Sequence, residues 1–240
     1  LVQYESGAPG PDTSDIRCPM YPTVEAIVNL LTDAKDLRPI VLVEYGYQIS
    51  NSGGGLNQFF ELMERYERFQ GGFVWDWQDK ALLTKDESGR EFYGYGGDFH
   101  EPVVEWDCPP FMCCNGYVQA NLMPKPVAWE MAQVQSPVRI VPDTVRDGWN
   151  LFPKEGAFKV LNRHHALTTR GMSLRYQILE DGLSIGGGEL PLPEIPPMGD
   201  GRIVIPLDIQ RQAGREYFLN LQPISNGAVL CKEQFKLPTA

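Results

Sequence analysis

The chain has 240 residues, enough for one large domain or two ordinary ones, and its 42% hydrophobic and 11% aromatic content can supply a real core. A net charge of −10 argues against binding a phosphate backbone, which needs basic patches, and fits a protein acting on a neutral ligand. No apolar run is long enough to span a bilayer, so neither nucleic acid nor membrane is an expected partner.

Taken in order, Leu1 to Glu5 reads as a short strand, Ser6 to Asp15 as a Gly/Pro/Ser/Asp-rich loop, and Ile16 to Tyr21 as the next strand. Leu1 is not a natural start, so the chain is expected to begin inside something longer, and cytoplasm and periplasm both stay open. A helix is predicted from Thr23 through Leu31. Pro39 then bounds the apolar run Ile40-Val41-Leu42-Val43, which ends abruptly in Glu44. Such a run predicts a strand buried on both faces in a parallel sheet. A carboxylate at its C-terminal end is placed for catalysis in a barrel, or alternatively to cap the helix beginning near Ser52.

Leu56, Phe59, Phe60, Leu62, Met63 and Tyr66 recur at helical spacing among charged residues, predicting an amphipathic helix. It leads into a second strand, Gln70-Gly71-Gly72-Phe73-Val74-Trp75-Asp76-Trp77, and completes a βαβ unit. Ala81 to Thr84 and Glu91 to Tyr93 flank a polar turn at 86–90, and Val127 to Val134 reads as a closing helix.

Beyond Ser136-Pro137 come short alternating runs: 138–141, 157–161, 174–179, 202–205, 217–221 and 234–237. Turns such as Glu180-Asp181-Gly182 and Gly199-Asp200-Gly201 separate them, predicting a β-sandwich of about 100 residues. The cysteines Cys18, Cys108, Cys113, Cys114 and Cys231 are odd in number and make no disulfide framework. Adjacent Cys113 and Cys114 suit a zinc site poorly, so buried or loop thiols are expected.

Several of these stretches together resemble the large bacterial β-galactosidases of glycoside hydrolase family 2. They are Gln3-Tyr4-Glu5, Asp15-Ile16 with Cys18-Pro19-Met20-Tyr21, Glu44-Tyr45 with Asn51-Ser52-Gly53-Gly54, the Gln70 to Trp77 run, and Tyr95-Gly96-Gly97-Asp98-Phe99, in family order. The resemblance covers Val2 to about Pro126. It implies an α/β plus all-β chain: residues 1–135 as the second half of a TIM (β/α)8 barrel, residues 136–240 as an immunoglobulin-like β-sandwich. The whole barrel needs roughly 250 residues, so only its second half fits here.

The resemblance implies retaining hydrolysis of a terminal β-D-galactoside, with Glu44 as nucleophile and Tyr21 as its hydrogen-bonding partner. Trp75 would lie against the sugar, whose apolar C–H face suits an indole. Tyr47 stands where the family has a sugar-contacting histidine, which puts the recognised hydroxyl in question. Asn115 resembles an asparagine that holds a sodium ion near the sugar 6-hydroxyl; the aromatic before it, Phe111, is out of step by one residue. Asp76 and Asp79 are alternative catalytic carboxylates, with buried hydrogen bonds or loop contacts the bland reading, and Glu5 and Asp98 match supporting positions. His164 and His165 read as solvated loop residues of the sandwich.

The family's acid/base, in a Gly-Asn-Glu, and its magnesium ligands fall outside this chain. Magnesium, sodium, the rest of a parent enzyme and a homo-oligomer are thus implied by resemblance alone. A β-glucuronidase, a β-mannosidase and a non-catalytic carbohydrate-binding fragment are the alternatives. The fragment by itself is expected to be inactive.

Overall fold

The computed structural model describes residues 1–5, 10–49, 52–100, 113–147 and 150–238, and Asn51, Cys108 and Phe111 lie outside them. The chain separates into two compact units, Leu1–Val134 and Gln135–Ala240. Among the described residues no helix is long and apolar enough to cross a membrane.

In the first unit, helix α1 (Val24–Thr32) begins at Thr23, whose hydroxyl accepts from the Ala26 N–H at 3.1 Å. That bond satisfies a donor the first helical turn leaves without an internal partner. Strand β1 (Ile40–Tyr45), helix α2 (Leu56–Arg65) and strand β2 (Phe69–Val74) follow, with the two strands paired in parallel. Ile40, Leu42 and Phe69 pack with Ile27 and Leu31 of α1, Leu56 and Leu62 of α2, and Val127 and Met131 of α3 (Pro126–Val134). Gly72 lets β2 approach β1 closely: a Cβ there would lie 2.7 Å from the Leu42 Cβ.

Two expectations need correction. β1 is not equally buried on both faces: Ile40 and Leu42 are buried, whereas Val41 and Val43 are only half-buried, because the helices cover one face. The two strands expected before β1 are not regular strands either. Among the described residues they join as isolated parallel bridges, Gln3 with Ile16, Arg17 with Ile40, and Met20 with Glu44. In the second of the two, proline interrupts the ladder. Val41 donates to the Arg17 carbonyl at 2.9 Å and Val43 to the Pro19 carbonyl at 3.3 Å, but Pro19 has no N–H to return. The result is an open parallel array, with no closed barrel among the described residues. Antiparallel strands β3 (Leu82–Lys85) and β4 (Glu91–Gly94) form the hairpin expected around the polar turn.

An ionic network ties down the segments that enter the strands. Arg38 grips Asp36 with two parallel bonds, Nε to Oδ1 at 2.9 Å and Nη2 to Oδ2 at 2.6 Å. Its Nη1 donates to the carbonyls of Gly10 and Ser14 at 3.0 and 2.8 Å. Arg68 donates to the carbonyls of Leu30 and Leu31, in the last turn of α1, at 3.3 and 3.2 Å. A cation there satisfies carbonyls the helix leaves open.

The second unit is a sandwich of two antiparallel sheets. One holds β5 (Val138–Asp147), β6 (Asn150–Asn162) and β9 (Asp200–Val204) in that order. The other holds β7 (Ser173–Glu180), β8 (Leu183–Pro191), β10 (Tyr217–Ser225), β11 (Ala228–Val229) and β12 (Glu233–Lys236), ordered β11-β10-β7-β8 with β12 also on β10. Val138, Ile140, Phe158 and Val160 of the first sheet meet Leu174, Ile178, Leu219 and Leu221 of the second in one core. The alternating runs read from the sequence do not include β8, which contains Gly186-Gly187-Gly188. Paired opposite Ile178, Gln177 and Tyr176, those glycines continue a ladder that needs only backbone groups. Asp200 and Gly201, expected in a turn, likewise pair with Leu161 and Val160. His164 is half-buried with Nδ1 3.1 Å from Asn162 Oδ1, and His165 is exposed.

The bonds from Arg38 hold the Asp36 carboxyl down at about 2 despite partial burial. A carboxyl depressed in the folded state contributes stability that is complete above its unfolded pKa and is lost as pH falls toward the folded value. Asp36 should therefore stabilise the first unit by about 2 kcal/mol at neutral pH, fading between about pH 4 and pH 2. Urea unfolding of Asp36→Asn beside wild type should show that gap at neutral pH, and the two curves should converge through that acid window.

Candidate active site

Side chains alternate along a strand, so Glu44 would by parity join Ile40 and Leu42 on the helix-packed face. The register shows why it does not. Between Leu42 and Tyr45, β1 spends three steps while β2 spends two, from Gly72 to Val74. On the other side, Ile40 to Glu44 spans four steps against three from Arg17 to Met20. Both neighbours place one extra residue in β1 before its end, which is a β-bulge. Tyr45 therefore enters the core, 3% exposed, and Glu44 stays half-buried off that face.

Tyr21 meets Glu44 twice. Its N–H donates to the Glu44 carbonyl at 2.9 Å, and its phenol hydrogen-bonds the Glu44 carboxylate. Tyr21 has a left-handed backbone (φ 46°), unfavourable for a tyrosine unless its surroundings hold it, as these two bonds do. Burial, then the bond to Glu44 and the nearby negative charge, push the phenol well above the usual tyrosine range. It stays protonated and donates. Tyr47 is half-buried, edge-on to Tyr21 with ring centroids 5.7 Å apart.

Trp75 directly follows β2, and its N–H donates to the Tyr45 carbonyl at 3.0 Å. It is 37% exposed, with the Lys80 ammonium 5.3 Å from the ring centroid. Residues 113–118 run alongside 76–80. Asp76 N–H donates to Asn115 O at 3.2 Å, Tyr117 N–H to Asp76 O at 2.9 Å, and Val118 N–H to Trp77 O at 2.9 Å. Asn115 is thereby brought to the end of β2 but is fully buried.

Asp79 is also buried, and its Oδ1 accepts from the Lys125 ammonium at 2.6 Å and the Gly116 N–H at 2.8 Å. Asp76 is ion-paired with Lys80. Neither carboxylate is without a partner. The helix-capping alternative for Glu44 falls to another residue: Glu130 of α3 accepts from the Leu56 N–H at 2.7 Å, the first of α2.

The sequence singled out neither Lys80 nor Lys125. The spacing of Asp76 and Lys80 is the one local signal, and it equally describes a solvated pair. Lys125 meets Asp79 across 46 residues.

Sodium takes oxygen donors, and the available set does not fit it. Asn115 Oδ1 accepts from Lys80 Nζ at 3.0 Å, so an ammonium already holds the amide oxygen. Among the described residues no three His, Cys, Asp or Glu side chains gather as a metal cluster. Cys18 and Cys231 are buried cysteines, and Cys113 and Cys114 are half-buried.

A carboxylate at the end of a parallel strand, with a phenol and an aromatic beside it, is an arrangement compatible with an α/β-barrel glycoside hydrolase. Residues 1–140 match "Glycosyl hydrolases family 2, TIM barrel domain", and the chain belongs to that family. Residues 158–238 match "Beta-galactosidase, domain 4". The chain is 32% identical to a beta-galactosidase of Alteromonas mediterranea, over 100% of this chain and 23% of that protein. It is 29% identical to one of Photobacterium profundum, over 91% of this chain and 21% of that protein. It thus spans less than a quarter of the length of these relatives. A solved beta-glucuronidase of Bacteroides uniformis is 13% identical over 95% of this chain and 30% of that one, with a TM-score of 0.38, too little overlap to carry an argument.

Gly116 is where 113–118 presses on 78–79. A Cβ there would lie 2.2 Å from the Asp79 nitrogen and 2.3 Å from the Gln78 carbonyl carbon, both backbone atoms unable to move aside cheaply. Gly116→Ala should destabilise the first unit by about 3 kcal/mol, read by urea unfolding. An unchanged midpoint would mean the two segments are not packed this way.

Proposed function

We propose that this chain is the second half of the catalytic barrel, with the following sandwich, of a retaining β-galactosidase acting on terminal β-D-galactosides. The observation that carries the reading is Glu44, turned off the helix-packed face by the bulge and bonded by Tyr21. The likeness of residues 158–238 to a β-galactosidase domain supports the galactoside over the family's other substrates. Lys80 is already paired with Asp76, which argues against its receiving a uronate carboxylate and favours a neutral sugar over a glucuronide.

In this reading the Glu44 carboxylate attacks the anomeric carbon. The bond to the leaving oxygen breaks as the bond to Glu44 forms, and the rest of the parent enzyme supplies the acid that protonates the leaving group, about 5 to 5.5 Å from Glu44. Tyr21 keeps Glu44 oriented, then stabilises it as it leaves when water, deprotonated by the same acid/base, displaces the sugar. Trp75 offers its indole to the sugar's C–H face, and the Tyr47 hydroxyl contacts a sugar hydroxyl as donor or acceptor. Magnesium would be held outside this chain.

In the full-length protein, an aryl β-D-galactoside should give a far higher kcat/KM than the glucuronide or mannoside. Glu44→Gln should lower kcat by more than about a thousandfold, some 4 kcal/mol of transition-state stabilisation, with the fold intact. A 2-fluoro galactoside should label Glu44 and no other carboxyl. A variant keeping about a tenth of wild-type kcat would remove Glu44 from the nucleophile's role.

The chain alone should show no turnover, because it lacks the acid/base. Its open array leaves strand edges that invite self-association, which light scattering would reveal as oligomers. Turnover by this chain alone would require a second carboxyl from within it.

A further inference from the structure

We propose that the Lys80 ammonium is a built-in substitute for an alkali cation beside Asn115, so that this protein neither binds sodium there nor needs it. The activity arm of this proposal rests on the galactosidase reading; the binding arm does not.

Three groups converge on Lys80 Nζ. Asn115 Oδ1 accepts from it at 3.0 Å, the Asp76 carboxylate pairs with it, and the face of Trp75 lies 5.3 Å away at the centroid. An amide oxygen, a carboxylate and an electron-rich ring face all favour a cation. The backbone holds the lysine where it can serve all three: its own N–H donates to the Cys113 carbonyl at 2.9 Å, which locks 80 against 113–118.

The local charge count closes without a metal ion. Asp76 is neutralised by Lys80 and Asp79 by Lys125, so two carboxylates meet two ammonium groups. A sodium ion at the Asn115 oxygen would add a positive charge where Asp76 and Asp79 are already paired, at close range to an ammonium that shares its ligand. Like charges that close repel, and each disfavours the other at a shared ligand. Lys80 also sets the orientation of Asn115. With Oδ1 turned to the ammonium, the fully buried Nδ2 has no hydrogen-bond partner among the described residues. Turning the amide over would put N–H groups against a cation, so the orientation that leaves Nδ2 unpartnered is the one the charge dictates.

The test uses the full-length protein in choline chloride, exchanged stepwise for sodium chloride at constant ionic strength. Tryptophan fluorescence reports binding and aryl galactoside kcat/KM reports function. Wild type and Lys80→Arg, which keeps the charge, should show no saturable response to sodium in either readout. Lys80→Gln should lose about tenfold in kcat/KM in choline, regain it with sodium, and show a saturable fluorescence change. Lys80→Met, which keeps the stem and removes the charge, replaces it if the glutamine variant does not fold. A saturable sodium response in wild type would overturn the proposal, as would charge-removed variants that ignore sodium in both readouts. If no galactoside is turned over, the substrate reading fails, while the fluorescence titration still decides the cation question.

Discussion

Strict alternation along β1 would seat Glu44 beside Ile40 and Leu42, among apolar side chains of α1 and α2, where a carboxylate would lose its hydration without gaining a partner. One extra residue before the end of β1 prevents this. The bulge returns the parity to Tyr45, which fills the core and packs on Phe59 with ring centroids 5.1 Å apart, and it releases Glu44 toward Tyr21. The arrangement has a local cost, because Tyr21 is held in a left-handed backbone conformation. The placement of Glu44 follows from this irregularity.

A second constraint is charge balance at the end of β2. Segment 113–118 brings a buried asparagine and the backbone of Gly116 against 76–80, a stretch with two aspartates and a lysine. Buried carboxylates are tolerated only when paired and hydrogen-bonded. Lys125 and the Gly116 N–H meet Asp79, and Lys80 meets Asp76. Asp76 and Asp79 thus serve to hold this part of the site together, and Glu44 is left as the carboxylate at the strand end.

The two units differ in how complete their cores are. The sandwich closes its core between two sheets, with Leu174, Leu219 and Leu221 fully buried. In the first unit the helices cover one face of β1, while the half-buried Val41 and Val43 and exposed Phe73 and Trp77 remain outside that core. A parallel array is normally covered on both faces.

Much of this was legible in the sequence because it rests on short-range rules. The Thr23 cap, the apolar spacing of 56–66, the hairpin around 86–90 and the shift to short alternating runs after Pro137 are each written within a few residues. The family motifs likewise marked Glu44, Tyr21 and Trp75 as candidates. The bulge that aims Glu44 was not legible, because it exists only as a mismatch in count between β1 and its two neighbours. Nor was the triglycine strand β8, whose order comes from its partner β7, not from its own side chains. The partners of Asn115 and Asp79 were hidden for the same reason. Lys80 and Lys125 reach them across 35 and 46 residues, and such electrostatic pairing depends on distance in space, which only the folded chain decides.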